Sequence, residues 1–101
     1  MSESILMEAE RLTNGDRQMD YGHPIHDFTC IVEQLNALGF RRYDKSDMKE
    51  LRPLKATDWP IAMECVKKSR EWNSHKRDNP VDGAGYWNTL EMIYEYLPKV
   101  T

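Results

Sequence analysis

The feature that most constrains this chain is the apolar stripe Tyr86, Trp87, Leu90, Ile93, Tyr94 and Leu97. Its helical spacing predicts one long amphipathic helix that must bury a face against other elements. Asn79-Pro80 opens that helix, with Asn79 as N-cap, Pro80 in the first helical position and Asp82 placed as in a capping box. Pro98 is expected to stop it. Gly83 and Gly85 fall inside it. Each costs roughly 1 kcal/mol relative to alanine, so another backbone or a ligand is expected to come close there.

Three more helices fit the remaining pattern. The first is capped by Ser2 or Ser4, carries Ile5, Leu6, Ala9 and Leu12, and ends at Asn14-Gly15, with Gly15 left-handed. The second starts at Pro24, buries Ile25, Phe28, Val32 and Leu35, and ends at Gly39. The third is capped by Thr57 and buries Ile61, Ala62, Cys65, Val66, Ser69 and Trp72, turning Met63, Lys67 and Arg70 outward. Residues 40–56 are crowded with charge and predict a solvated loop, with room for a short helix around Asp47 to Leu51. No stretch alternates as a strand does. The fold class is therefore all-α: a single bundle-like domain, 1–101, of four main helices.

A chain of 101 residues supports one core. The net charge of -3 disfavours broad binding to nucleic-acid backbone but leaves room for a small anion held by a few cations. No apolar run reaches membrane-spanning length and no signal peptide opens the chain, so a cytoplasmic protein is expected. Cys30 and Cys65 sit alone in helical patterns and read as reduced core thiols.

Chemistry concentrates between Gly15 and Phe28, and again from Lys67 to Asp82. Lys67 and Arg70 share a helix face and suit phosphate oxygens; the plain alternative is solvated ion pairing of Glu64 with Lys68 and Lys67 with Glu71. Asp78 and Asp82 suit Mg²⁺ or a sugar, or simply favour the helix start. His23, His26 and Asp27 are too loosely spaced for zinc, and His23 suits hydrogen bonding or proton transfer. No Walker loop or Gly-x-Gly-x-x-Gly is present.

Gly15-Asp16-Arg17, Tyr21-Gly22-His23-Pro24 with Asp27-Phe28, Lys67-x-x-Arg70, and Asp78-Asn79-x-x-Asp82-x-Ala84-Gly85-Tyr86 together form a more specific pattern. It resembles a small domain family of unknown function found mainly in tailed phages and prophages, over nearly the whole chain apart from 40–56. It is also similar to phage helical domains of nucleotide metabolism: a Walker-less nucleotide-kinase-associated domain and the all-α nucleotide pyrophosphatases. The acidic helix pairs of the latter, Glu-x-x-Glu and Glu-x-x-Asp, are missing as written.

The resemblance implies a nucleotide site. Arg17, Lys67 and Arg70 are expected to converge on phosphates. Tyr21 or Tyr86 would stack a base. His23, Asp27, Asn79 and Asp82 would bind its polar groups, with Asp78 and Asp82 as candidate Mg²⁺ ligands. Whether such a protein turns its nucleotide over stays open at this point. The alternatives are a phage sponge for a nucleotide signal of host defence, and a helical adaptor with no nucleotide. Gly85, Met92 and Tyr96 line a second apolar edge of the last helix and suggest a homo-oligomer.

Overall fold

The computed structural model describes residues 3–43, 46, 49 and 51–100, except the side chains of 16, 17, 20 and 98–100. Ser4 caps α1 (Ile5–Arg11) by accepting the Met7 N–H at 3.1 Å. The chain does not turn at Asn14-Gly15. It widens into a π-turn over Leu12–Asp16 and continues as α2 (Arg17–Tyr21). The left-handed residue is Gly22, with φ 76°, not Gly15. Side-chain bonds explain the continuation. Buried Thr13 donates its hydroxyl to the Ala9 carbonyl at 2.8 Å, and Asn88 donates to the oxygens of Thr13 and Asn14. These tertiary bonds override the local turn signal.

Helix α3 (Pro24–Ala37) begins and ends as expected, with Pro24 in its first turn and Gly39 beyond its end at φ 98°. Its cap is His23, whose Nδ1 accepts the Ile25 N–H at 3.1 Å. Phe28 and Val32 are buried on its inner face.

The charged stretch expected to be a solvated loop contains a hairpin. β1 (Arg42–Tyr43) pairs antiparallel with β2 (Leu51–Arg52), Arg42 opposite Arg52 and Tyr43 opposite Leu51. Leu51 is thus in a strand, while Asp47, Met48 and Glu50 of the proposed short helix lie outside the described residues. Buried Asp58 anchors the hairpin. Its carboxylate accepts from the Arg42 guanidinium, from Arg52 at 3.0 and 3.1 Å, and from the Lys55 N–H at 2.8 Å. Asn36 secures the next segment, donating to the Leu54 carbonyl and accepting its N–H.

Helix α4 (Asp58–Asn73) lies beside α5 (Asp78–Val100), and Thr57 makes no side-chain cap. α4 is turned roughly half a revolution from the orientation its apolar residues predict. Pro60 and Glu64 are buried and Lys67 faces α5, while Ile61, Ala62, Cys65, Ser69 and Trp72 are exposed, Trp72 by 91%. Polar bonds to the start of α5 replace the expected apolar contact. Cys30 and Cys65 are free but exposed rather than core thiols.

Helix α5 runs through Pro98 and is the central strut, with α4 on one flank and α1 and the π-turn on another. The core is Phe28, Ala56 and Ile93, ringed by Ile25, Ile31, Trp59, Tyr86 and Leu97. A Cβ on Gly85 would lie 3.2 Å from Thr13 Cγ2, and Tyr96 stacks 4.9 Å from His23. The edge that suggested self-association is therefore covered at both ends by the chain itself. Exposed apolar side chains are spread over other elements, among them Leu6 and Met7 on α1, Leu38 and Phe40 after α3, Ile61 and Trp72 on α4 and Tyr94 on α5. Among the described residues, no helix is long and apolar enough to cross a membrane.

Burial alone would raise the Asp58 pKa, but bonds from Arg52, the Lys55 N–H and Arg42 bring it below the usual 3.8. The stabilisation is thus complete above the unfolded pKa, and is lost as pH falls below 3.8 through the folded value. Asp58→Ala is expected to cost about 2–4 kcal/mol at neutral pH, less than a fully buried pair because both guanidiniums reach water. Chemical denaturation at pH 7 and pH 3 checks this: the gap between variant and parent should narrow in acid.

Candidate functional site

The polar face of α4 carries Glu64, Lys67, Lys68 and Glu71, at spacings of three and four residues that align side chains along a helix. It meets the first turns of α5. Lys67 Nζ lies 2.7 Å from Asp82 Oδ2, and the lysine side chain is only 12% exposed. Glu71 accepts from Asn79 Nδ2 at 3.1 Å through one oxygen and pairs with His75 Nδ1 at 2.7 Å through the other. Those bonds, Asn79's first, hold the Glu71 carboxyl below its usual range. Asn79 is buried and also reaches the Ser74 carbonyl, so it closes the α4–α5 corner instead of capping α5.

Between the two helices lies a cleft of about 410 Å³. Trp87, 57% exposed, stands at its rim. Lys68 and His75 supply cations or potential cations along it, and Gly83 and Ala84 keep the α5 wall low. Glu64 is the unusual member. Its Oε1 lies where a Cβ on Gly83 would come within 3.2 Å. The missing side chain at Gly83 is what lets this carboxylate seat against α5. Trp87 lines the cleft beside the carboxylate, and Oε1 has no partner among the described residues. Burial pushes the Glu64 pKa up, against the charge of Lys68 and the Trp87 indole.

Lys67 and Asn79 line the cleft, Lys67 paired with Asp82 outside the lining and Asn79 bonded to Glu71. Arg70 is exposed and does not line the cleft, so it does not join Lys67 in one anion pocket. Tyr86 is half-buried against the core. Tyr21, His23 and Asp27 belong to the α2–α3 corner; among the described residues α2 packs on the π-turn and α3 but not on α4 or α5. His23 is occupied as a cap, and Asp27 is half-buried in the first turn of α3. The Arg17 side chain lies outside the described residues. Among them, no three His, Cys, Asp or Glu side chains gather as a metal site. Asp78 is exposed and Asp82 is engaged by Lys67.

Glu64, Lys68, Glu71, His75 and Trp87 were not among the expected site residues. Part of their signal was present, as one polar stripe of Glu64, Lys68 and Glu71 on the third helix and a glycine, Gly83, on the fourth. Lys67 and Arg70 should respond differently to truncation. Lys67→Ala removes a mostly covered lysine whose partner Asp82 is 40% exposed, and is expected to cost about 0.5–2 kcal/mol. Arg70→Ala is expected to stay within about 0.5 kcal/mol of the parent. Thermal melts of the two variants test the assignment.

Comparison with known proteins gives few points of contact. The gene 55 protein of Mycobacterium phage D29 is 38% identical over 95 residues, a match covering 94% of this chain and 56% of that protein. The chain thus spans little more than half the length of this curated relative. No solved structure matches it. Residues 4–94 match the family model described as a domain of unknown function, DUF6378. The matched span takes in the whole α4 face and the α5 residues that form the cleft with it, and the chain belongs to the DUF6378 family.

Proposed function

We propose that this protein binds a nucleotide in the cleft between α4 and α5 and holds it without turnover. One observation carries this: an exposed indole and cationic side chains share a cleft of ligand size, about 410 Å³. A nucleotide is a planar aromatic joined to an anion. Stacking on an aromatic side chain contributes about 1–3 kcal/mol per base, and Trp87 offers that face. Lys68, and His75 when protonated, suit phosphate oxygens further along the cleft. Lys67 and Asn79 build the walls in this scheme, Asp82 holds Lys67 in place, and Arg17 and Arg70 take no assigned part.

Holding rather than converting is favoured because Asp82, the acid best placed for a metal, is neutralised by Lys67. The relationship to a phage gene product fits a binder acting in the host cytoplasm, including one that sequesters a nucleotide signal of host defence. The enzyme alternative, phosphoryl transfer or pyrophosphate hydrolysis with Mg²⁺, calls for a metal-bound ligand.

Calorimetric titration with mono-, di- and cyclic nucleotides, with and without Mg²⁺, followed by chromatography of the recovered ligand, tests the proposal. Saturable binding indifferent to Mg²⁺ and recovery of intact ligand are expected. Lys68→Ala should weaken affinity about tenfold or more, since a charge-assisted bond contributes roughly 1.5–3 kcal/mol, with little change in melting temperature. Conversion of the ligand would make the protein an enzyme. Absence of binding would leave the adaptor.

A further inference from the structure

Glu64 is the feature the wall-building bonds do not explain. Nearly every buried polar atom in a folded protein has a hydrogen-bond partner. Glu64 Oε1 has no partner among the described residues and rests against Gly83. Behind the carboxylate, toward Pro60, Tyr86 and Leu90, the remaining gap is too small to admit a water. In front of it lies the cleft. The terminal torsion of a glutamate is soft, so a modest rotation turns Oε1 from Gly83 toward an incoming ligand.

We infer that Glu64 is the base-selecting group of this cleft and that the ligand it selects is a guanine nucleotide, an inference that rests on the nucleotide-binding function proposed above. A carboxylate accepts two parallel N–H donors best. Guanine presents such a pair side by side, its ring N1–H and its 2-amino group. Adenine and cytosine place their amino group beside a ring nitrogen lone pair, which faces the second carboxylate oxygen and repels it. Uracil and thymine flank their single N–H with two carbonyls. Trp87 adds to the selection by position. Its exposed ring lines the same end of the cleft as Glu64, so a base stacked on the indole has its edge near the carboxylate. Gly83 is the positioning residue, because any side chain there would crowd Oε1.

The test is calorimetry of the full chain with GMP, IMP and AMP. IMP differs from GMP only in lacking the 2-amino group. The parent protein is expected to bind GMP at least about tenfold tighter than IMP or AMP, as for loss of one member of a bidentate pair. Glu64→Gln keeps the shape but turns one acceptor into a donor. It should bring GMP to within about threefold of IMP while IMP affinity stays near that of the parent. Glu64→Asp, which withdraws the carboxylate by one methylene, should do the same and serves if the glutamine variant fails to fold. Equal binding of all three nucleotides by the parent, or a guanine preference that survives in either folded variant, overturns the role of Glu64 and leaves nucleotide binding standing. No binding of any nucleotide overturns both.

Discussion

Close approach on two flanks of α5 is the condition the rest of the fold depends on. Gly83 and Gly85 are two residues apart and so point to different sides of the helix. One admits the Glu64 carboxylate of α4, the other the Thr13 methyl at the π-turn. A helix with side chains at both positions would hold its neighbours further off. The same two flanks carry the Asn88 bonds to Thr13 and Asn14 and the Lys67–Asp82 pair. The propensity cost of two glycines in one turn is offset by contacts on both sides.

The α4–α5 seam is consequently electrostatic where a helical bundle would ordinarily be apolar. Charges removed from water stabilise a fold only when each finds a partner. Lys67, 12% exposed, meets that condition with Asp82, while Glu71, with Asn79 and His75, lies at the exposed end of the seam. Glu64 Oε1 does not meet it. A seam built in this way leaves Ile61, Cys65 and Trp72 on the outer surface, so the polar and apolar faces of α4 are inverted relative to a simple core helix.

That inversion marks where sequence legibility ends. The all-α class, the start of α3 at Pro24, its end at Gly39 and the capping by Ser4 were readable, because each depends on local backbone chemistry. The rotation of α4 was not, because hydrophobicity ranks Ile61 and Trp72 as interior while Lys67 finds its partner only once α5 is in place. The end of the first helix was misplaced for a similar reason. Asn14-Gly15 is a strong local stop, and the chain stays helical there with bonds from Thr13 and from Asn88, more than seventy residues away. In the site, Lys67, Asn79 and Asp82 were visible through motif spacing. Glu64 and Trp87 looked like a solvated acid and a core aromatic. Their shared place beside Gly83 exists only in three dimensions.

The π-turn bears on how this family is compared. Such a turn holds one residue more than the α-helical turn it replaces, so the helix on each side keeps its place while the count between them changes. A relative with an ordinary α-turn across Leu12–Asp16 would show a single-residue gap in an alignment and yet superpose before and after it. A position-by-position comparison of Arg17 or Tyr21 that ignored the gap would pair each with a residue about 100° away around the helix. Single-residue gaps in this stretch therefore mark a change of local helix form, and the frame must be reset at Thr13 before any residue beyond it is called equivalent.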